Sequence, residues 1–145
     1  MTETSGYAPV NGLQMYYETH GSGGDRPLVL LHGNLSTIGV DFGGIIPSLA
    51  KSRQVIAVEQ QAHGHTADID RPLRASLWAD DTVALLRHLG VERADLFGYS
   101  SGSAVAMQLA LDHPEQVGKL VLASFSYRLD GLHPGLMDNV GGLQP

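Results

Sequence analysis

Short runs of continuously apolar residues alternate along this chain with longer stretches in which apolar positions recur at helical spacing. A short, unbroken apolar run is typical of a strand covered on both faces of a parallel sheet. The runs that fit this description are residues 28–31, 54–58, 94–97 and 117–124. The predicted helices that alternate with them are residues 45–50, 76–89 and 101–113. This alternation predicts parallel β-α-β units joined by right-handed crossovers.

An antiparallel hairpin is predicted ahead of these units. Residues 7–10 and 13–19 are both rich in β-forming residues, and Asn11-Gly12 separates them. This dipeptide favours the two-residue turn whose twist matches that of two paired strands. Since Pro9 has no backbone N–H to donate, we expect the first strand to lie at an edge of the sheet.

Two of the predicted helices differ in the faces that they present to solvent. Residues 101–113 are apolar nearly all round, which indicates a buried helix. Residues 76–89 carry a single apolar face. Asp80 and Asp81 are interpreted as first-turn residues on the charged, solvated face of that helix.

Composition is that of an ordinary globular domain, and it excludes several classes of function. The 145 residues fit one domain, with 43% apolar and 17% charged residues. A net charge of −6 without a Lys/Arg cluster argues against nucleic-acid binding. With no cysteine, thiolate catalysis, disulfides and zinc–thiolate sites are excluded. The polar, acidic first residues and the lack of an apolar stretch of ~20 residues predict a soluble, cytoplasmic protein without membrane contact.

The chemistry is predicted to lie where the strand ending near Phe97 runs into a helix. Gly98, Ser100 and Gly102 form a G-x-S-x-G pattern between that strand and the helix, which is the context the motif requires. Such a sharp turn brings strand and helix so close that side chains would collide two residues before and after the serine. We therefore predict that Ser100 is a nucleophile. The amide of Ser101, at the helix N-terminus, would stabilise a developing oxyanion.

The sharp turn at Ser100 is called the elbow below. The chain resembles an α/β hydrolase of the esterase, haloperoxidase-like and C–C hydrolase branch in three motifs: this elbow, the strand that ends in His32-Gly33, and the loop His63-Gly64-His65. The resemblance implies a three-layer fold with about six strands, an N-terminal hairpin first and parallel strands after it. It also implies that Asn34, which follows His-Gly, supplies the second oxyanion-hole amide. Ser103 departs from the family pattern, which often has glycine there.

The resemblance leaves the general base and its acid partner unassigned. Members of the family run to about twice this length, and their acid and histidine follow the serine in the chain. The candidates are Asp130 and His133 beyond the last predicted strand, His63 and His65 in their loop, or residues of a partner chain. No cofactor is predicted. No metal is predicted either, because His63 and His65 lack further ligands at suitable spacing.

The domain is predicted to be a single truncated α/β-hydrolase unit over residues 1–145, with a core over 1–126 and a cap-like or dimer-arm tail over 127–145. The last strand would be a bare apolar edge, which is prone to pair with another chain. The tail carries apolar residues at helical spacing, namely Leu129, Leu132, Leu136, Val140 and Leu143. We therefore predict a homodimer or a complementing second chain.

These observations predict a serine hydrolase that cleaves small acyl esters through an acyl-enzyme on Ser100. One alternative is a non-catalytic, truncated module whose exposed edge serves assembly. Another is a cofactor-free haloperoxidase or C–C hydrolase. Labelling by an organophosphonate that disappears in Ser100→Ala separates an activated serine from the non-catalytic module.

Overall fold

A computed structural model describes residues 3–128 and residue 131. Within them the strands are β1 (Glu3–Val10), β2 (Leu13–His20), β3 (Leu28–Leu31), β4 (Val55–Val58), β5 (Ala94–Tyr99) and β6 (Val117–Ala123). The helices are α1 (Ile38–Phe42), α2 (Ile46–Leu49), α3 (Ala75–His88) and α4 (Ser101–Asp112), and a 3₁₀ turn covers Pro114–Gln116. The strand and helix predictions are confirmed to within a few residues at each end, except for α1.

The six strands form one mixed sheet in the order β1-β2-β4-β3-β5-β6. Strand β1 is antiparallel to β2, and β2 is antiparallel to β4. The pairs β3–β4, β3–β5 and β5–β6 are parallel. The predicted fold class, an N-terminal hairpin followed by parallel strands, is therefore confirmed. Because β3, β4 and β5 run in the same direction, their carboxyl ends meet at one edge of the sheet.

The hairpin turns at the residues that the sequence indicates. Val10 pairs with Leu13, so that Asn11 and Gly12 alone make the turn. Both have positive φ, 47° for Asn11 and 87° for Gly12, which is the conformation of a type I′ turn. The prediction that β1 lies at an edge is also confirmed.

Apolar side chains cover the central strands on both faces. Leu28 and Leu30 of β3 pack with residues of α1 and α2 on one face of the sheet. Val29 and Leu31 pack with residues of α3 and α4 on the other. All four side chains of β3 and all four of β4 are buried. This three-layer packing accounts for the unbroken apolar runs in the sequence.

Helix α1 was not predicted. The sequence predicts a loop through Gly43 and Gly44 ahead of the helix at residues 45–50, because glycine disfavours a helix there. The structure forms one short helix nonetheless, since Thr37 caps its N-terminus and the side chains of Ile38 and Phe42 are buried against the sheet. Tertiary burial outweighs the unfavourable local composition.

The interpretation of Asp80 and Asp81 as first-turn residues is wrong for both, and their assignment to a solvated face is wrong for Asp81. Helix α3 begins at Ala75, which puts both residues beyond its first turn. Asp80 is exposed, but the Asp81 carboxylate is fully buried and bound by Arg71. Its Oδ1 also accepts a hydrogen bond of 3.0 Å from the side chain of Asn11. A buried carboxylate needs such partners, so Asp81 ties the helix to the loop before it and to the hairpin.

Strand β6 is the last strand of the sheet in the part of the chain that the structure describes, as predicted. It is less buried than the central strands, and Val121 is half exposed. The apolar stripe predicted for the tail lies outside the described residues, and the division at residue 126 stays a prediction. Among the described helices, none has both the length and the apolar character needed to span a membrane.

Candidate active site

Ser100 occupies a sharp turn between β5 and α4. Strand β5 ends at Tyr99 and α4 begins at Ser101, so a single residue makes the connection. Its φ of 53° and ψ of −118° are strained for a residue with a side chain. The Ser100 amide donates a 2.9 Å hydrogen bond to the carbonyl of Ala123 in β6. Ser100 is exposed. The predicted elbow therefore exists, and it presents the serine at the carboxyl edge of the sheet.

The two glycines of the motif lie where no side chain fits. A Cβ atom on Gly98 would come within 2.3 Å of the Gly102 carbonyl oxygen. A Cβ atom on Gly102 would come within 1.9 Å of the Leu31 carbonyl oxygen and 2.6 Å of the His32 carbonyl oxygen. The first turn of α4 thus lies directly on the end of β3. The sequence argument for both glycines is confirmed by this close approach.

The turn after β3 lies beside the elbow. A Cβ atom on Gly33 would be 3.3 Å from the Cβ of Ser100 and 3.5 Å from Cδ1 of Tyr99. The His-Gly turn and the turn at Ser100, 67 residues apart in sequence, are therefore neighbours in the fold. Asn34 is therefore one residue away from a backbone position that lies beside Ser100.

The amide of Asn34 is oriented by the peptide group that it shares with Gly33. Nδ1 of His32 lies 2.7 Å from the Gly33 carbonyl oxygen. The peptide is trans, so its N–H points in the direction opposite to its carbonyl. Because the carbonyl points at the buried His32 ring, the Asn34 N–H points away from that ring. Neither the Asn34 nor the Ser101 amide has a hydrogen-bond acceptor among the described residues.

His32 is held in one tautomer. The backbone amide of Gln60 donates a 3.0 Å hydrogen bond to Nε2 of His32, so Nε2 must be an acceptor and Nδ1 carries the proton. The ring is almost entirely buried, and this burial lowers the pKa of His32 below its ordinary value. A neutral His32 therefore donates to Gly33 and accepts from Gln60 at the same time.

Ser103, where the family often has glycine, takes part in the elbow. Its side chain is buried, and its hydroxyl lies 2.7 Å from the Gly98 carbonyl oxygen and 2.9 Å from that of Ala123. Ala123 also accepts the hydrogen bond from the Ser100 amide. The hydroxyl thus connects the elbow to the end of β6. No local sequence pattern indicates this contact, because it depends on where β6 ends.

Neither histidine of the predicted loop forms a hydrogen bond with Ser100 in the described part of the chain. Nδ1 of His63 lies 2.9 Å from the Gln61 carbonyl oxygen, and the ring is buried. Nδ1 of His65 lies 2.9 Å from Oε2 of the buried Glu59. Both side chains are bonded within their own loop. The other two candidates for base and acid, Asp130 and His133, lie outside the described residues.

Glu59 was not singled out from the sequence. Its carboxylate is buried and also accepts the backbone N–H of His65. A Cβ atom on Gly64 would lie 2.1 Å from the Glu59 carboxylate, and Gly64 has a φ of 54°. Gly64 is therefore the sequence signal that could have revealed a side chain packed beneath this loop. The role of Glu59 is to hold the loop in place.

One group of side chains in the described residues has the spacing of metal ligands. Donor atoms of Glu3, Glu18 and His20 lie within 4.8 Å of one another. The His20 ring already bonds to Glu18, with 2.9 Å between Nε2 and Oε2. His20 pairs with Val55 at the start of β4, at the end of the sheet opposite to Ser100. This group therefore plays no part in the chemistry at Ser100.

A strained, exposed serine between two crowded glycines, set against a His-Gly turn on a mixed sheet, defines an α/β hydrolase. The family model described as alpha/beta hydrolase fold matches residues 26–140. This chain belongs to that family, and the resemblance inferred from its motifs is confirmed.

Two curated relatives are similar to this chain over most of its length. The 2-hydroxymuconate semialdehyde hydrolase of Pseudomonas sp. (strain CF600) is 39% identical over 106 residues, covering 71% of this chain and 38% of that protein. Serine hydrolase BPHL of Homo sapiens is 32% identical over 123 residues, covering 82% of this chain and 42% of that protein. The chain therefore spans less than half the length of these two relatives.

Solved structures show the same relation. The epoxide hydrolase CorEH superposes with a TM-score of 0.81 and 30% identity, covering 96% of this chain and 50% of that one. Est816, an N-acyl homoserine lactone degrading enzyme, superposes with a TM-score of 0.77 and 32% identity, covering 91% of this chain and 49% of that one.

Replacing Gly102 tests the contact between α4 and β3. We expect Gly102→Ala to lower the free energy of unfolding by at least about 2 kcal/mol, because the new methyl group collides with two backbone carbonyls that cannot move independently. Gly39→Ala in α1 is the matched control, since a Cβ atom there meets nothing within 4 Å. Urea denaturation measures both variants. Equal stability of the two would contradict the close approach.

The buried, neutral His32 predicts a pH dependence of stability. Its pKa in the folded chain lies below the unfolded value of 6.5, so the unfolded chain binds the proton more readily. The contribution is fully present above pH 6.5 and is lost as the pH falls through the folded pKa. Between about pH 8 and about pH 5, we expect His32→Gln to lose less stability than the wild type. The same loss of stability in the wild type and in His32→Gln would refute the assignment.

Proposed function

We propose that this chain is a serine hydrolase that cleaves small acyl esters through an acyl-enzyme on Ser100. The observation that carries the proposal is the exposed Ser100 at a φ of 53°, with Gly33 of the neighbouring turn against it. A serine strained in this way, at the carboxyl ends of parallel strands, is the arrangement from which hydroxyl nucleophiles act in this fold.

The reaction proceeds in two halves. Ser100 Oγ attacks the ester carbonyl carbon and gives its proton to a base, and the amides of Asn34 and Ser101 stabilise the resulting oxyanion. The tetrahedral intermediate collapses, the C–O bond to the leaving group breaks, and the alcohol departs with the proton. Water then attacks the acyl-serine, and the carboxylic acid leaves as the Ser100 hydroxyl is restored.

The base is a histidine, which either belongs to the chain beyond the described residues or comes from a partner. His63 and His65 are weaker candidates, because their Nδ1 atoms are bonded within their own loop. A complete triad is not required for measurable turnover. Binding and an oxyanion hole alone retain about 10³- to 10⁴-fold acceleration over water.

The relatives support hydrolysis and leave its substrate open. One is named a serine hydrolase, and a structural neighbour degrades N-acyl homoserine lactones. The similarity to a semialdehyde hydrolase makes C–C bond hydrolysis the second candidate function. Cofactor-free haloperoxidase chemistry is the third. Tyr99 and Leu35, both apolar and exposed beside the turn and the elbow, suit a small acyl group.

Covalent labelling tests the nucleophile. We expect an organophosphonate to add one mass equivalent to the wild type and none to Ser100→Ala, because only an activated hydroxyl reacts. Ser52→Ala, an exposed serine in the loop before β4, is the matched control and should label fully. Intact-protein mass spectrometry, with p-nitrophenyl acetate hydrolysis in parallel, reads the result. If neither the wild type nor Ser100→Ala is labelled, or if both are labelled to the same extent, the non-catalytic module is favoured.

We also propose that a second copy of the chain covers the edge of β6. In the described residues this strand pairs on one side only, and Val121 is half exposed on it. Unpaired backbone N–H and C=O groups beside apolar side chains favour pairing with another strand. The alternative occupant is a complementing chain of different sequence.

Light scattering tests this pairing. We expect a species of about twice the 15.4 kDa chain mass that dissociates on dilution. Val121→Lys should shift the equilibrium towards the monomer, because an edge lysine opposes strand pairing. Val40→Lys, at an exposed position of α1, is the control and should leave the dimer intact. A single 15.4 kDa species at every concentration rules out the second copy.

A further inference from the structure

Asp41 in α1 reaches back to the turn that follows β3. Its Oδ2 accepts a 2.7 Å hydrogen bond from the backbone N–H of Gly33. Its Oδ1 accepts one of the same length from the hydroxyl of Ser36. One side chain therefore closes the whole turn between Gly33 and Ser36 against α1.

Helix α1 is a firm support for this carboxylate. Ile38 and Phe42, on either side of Asp41 in the helix, are each only 2% exposed. Phe42 also packs edge-on against the ring of Phe97 in β5, with 5.5 Å between ring centroids. The position of Asp41 is thus fixed by the core rather than by the turn that it holds.

The two peptide groups that precede the Asn34 Cα atom are each fixed by a hydrogen bond to a different side chain. The first, between His32 and Gly33, is bonded through its N–H to Asp41. The second, between Gly33 and Asn34, is bonded through its carbonyl to the His32 ring. With both planes fixed, the Asn34 N–H has a single orientation. The Gly33 N–H is occupied, whereas the Asn34 N–H has no acceptor among the described residues.

We propose that Asp41 is a positioning residue for the oxyanion turn, acting through the Gly33 backbone. This inference rests on the proposed function, since the turn matters for catalysis only if Ser100 forms an acyl-enzyme. The turn requires an oxygen atom at Asp41 that accepts the Gly33 N–H. It does not require the negative charge of the carboxylate, because a negative charge opposes a developing oxyanion.

Asp41→Ala and Asp41→Asn separate the oxygen from the charge. In Asp41→Asn the amide oxygen can still accept from Gly33, while the amide nitrogen donates to the Ser36 hydroxyl. Asp41→Ala removes both acceptors. We expect Asp41→Ala to lower kcat for p-nitrophenyl acetate about 10- to 100-fold, with little change in KM. This loss is smaller than the loss in kcat that follows when an oxyanion-hole donor is itself removed. Asp41→Asn should keep kcat within about threefold of wild type.

A second readout does not depend on activity. Amide hydrogen exchange of Gly33, followed by NMR, should accelerate at least about 10-fold in Asp41→Ala and much less in Asp41→Asn. Asp112→Ala, an exposed aspartate at the far end of α4, is the control and should change neither kcat nor the exchange of Gly33.

The outcomes distinguish this inference from the proposed function. Ser100-dependent hydrolysis that is unaffected by Asp41→Ala overturns the inference and leaves the function standing. Equal losses in kcat for Asp41→Ala and Asp41→Asn also overturn it, because the oxygen alone would then not suffice. If no Ser100-dependent hydrolysis is found, the proposed function fails. Gly33 exchange then decides alone, and an unchanged rate in Asp41→Ala overturns the inference.

Discussion

The candidate site depends on one close approach, between the first turn of α4 and the carboxyl end of β3. Gly102 lies so near the Leu31 carbonyl that even a methyl group has no room there. This contact leaves the chain a single residue in which to turn from β5 into α4, and that residue is Ser100. The strain at Ser100 is sustained because buried strands and a buried helix fix both ends of the turn.

A second set of contacts fixes the turn that faces the serine. His32 holds the Gly33 carbonyl from beneath the sheet edge, and Asp41 holds the Gly33 N–H from α1. The amide of Gln60, beyond β4, fixes the tautomer of His32. Residues after β3, in α1 and after β4 thus fix the two peptide groups of Gly33, and with them the orientation of the Asn34 N–H. Preorganised backbone donors of this kind need no rearrangement when charge develops on a substrate.

The architecture and the elbow could be predicted from the sequence because each rests on a local pattern. Unbroken apolar runs mark buried strands, and G-x-S-x-G between a strand and a helix marks the turn. The remaining features depend on tertiary contacts that no local pattern shows. Asp41 belongs to a helix whose glycines argue against it, and Asp81 is buried only because Arg71 and Asn11 meet it there. The base could not be assigned from spacing alone.

The central claim is that Ser100 and the amides of Asn34 and Ser101 form one site. A crystal structure of the chain after reaction with an organophosphonate measures this directly. The account predicts phosphorus bonded to Ser100 Oγ and the phosphoryl oxygen within about 3.1 Å of both amide nitrogens. A phosphonate on another residue, or a phosphoryl oxygen directed into solvent away from both amides, would contradict it.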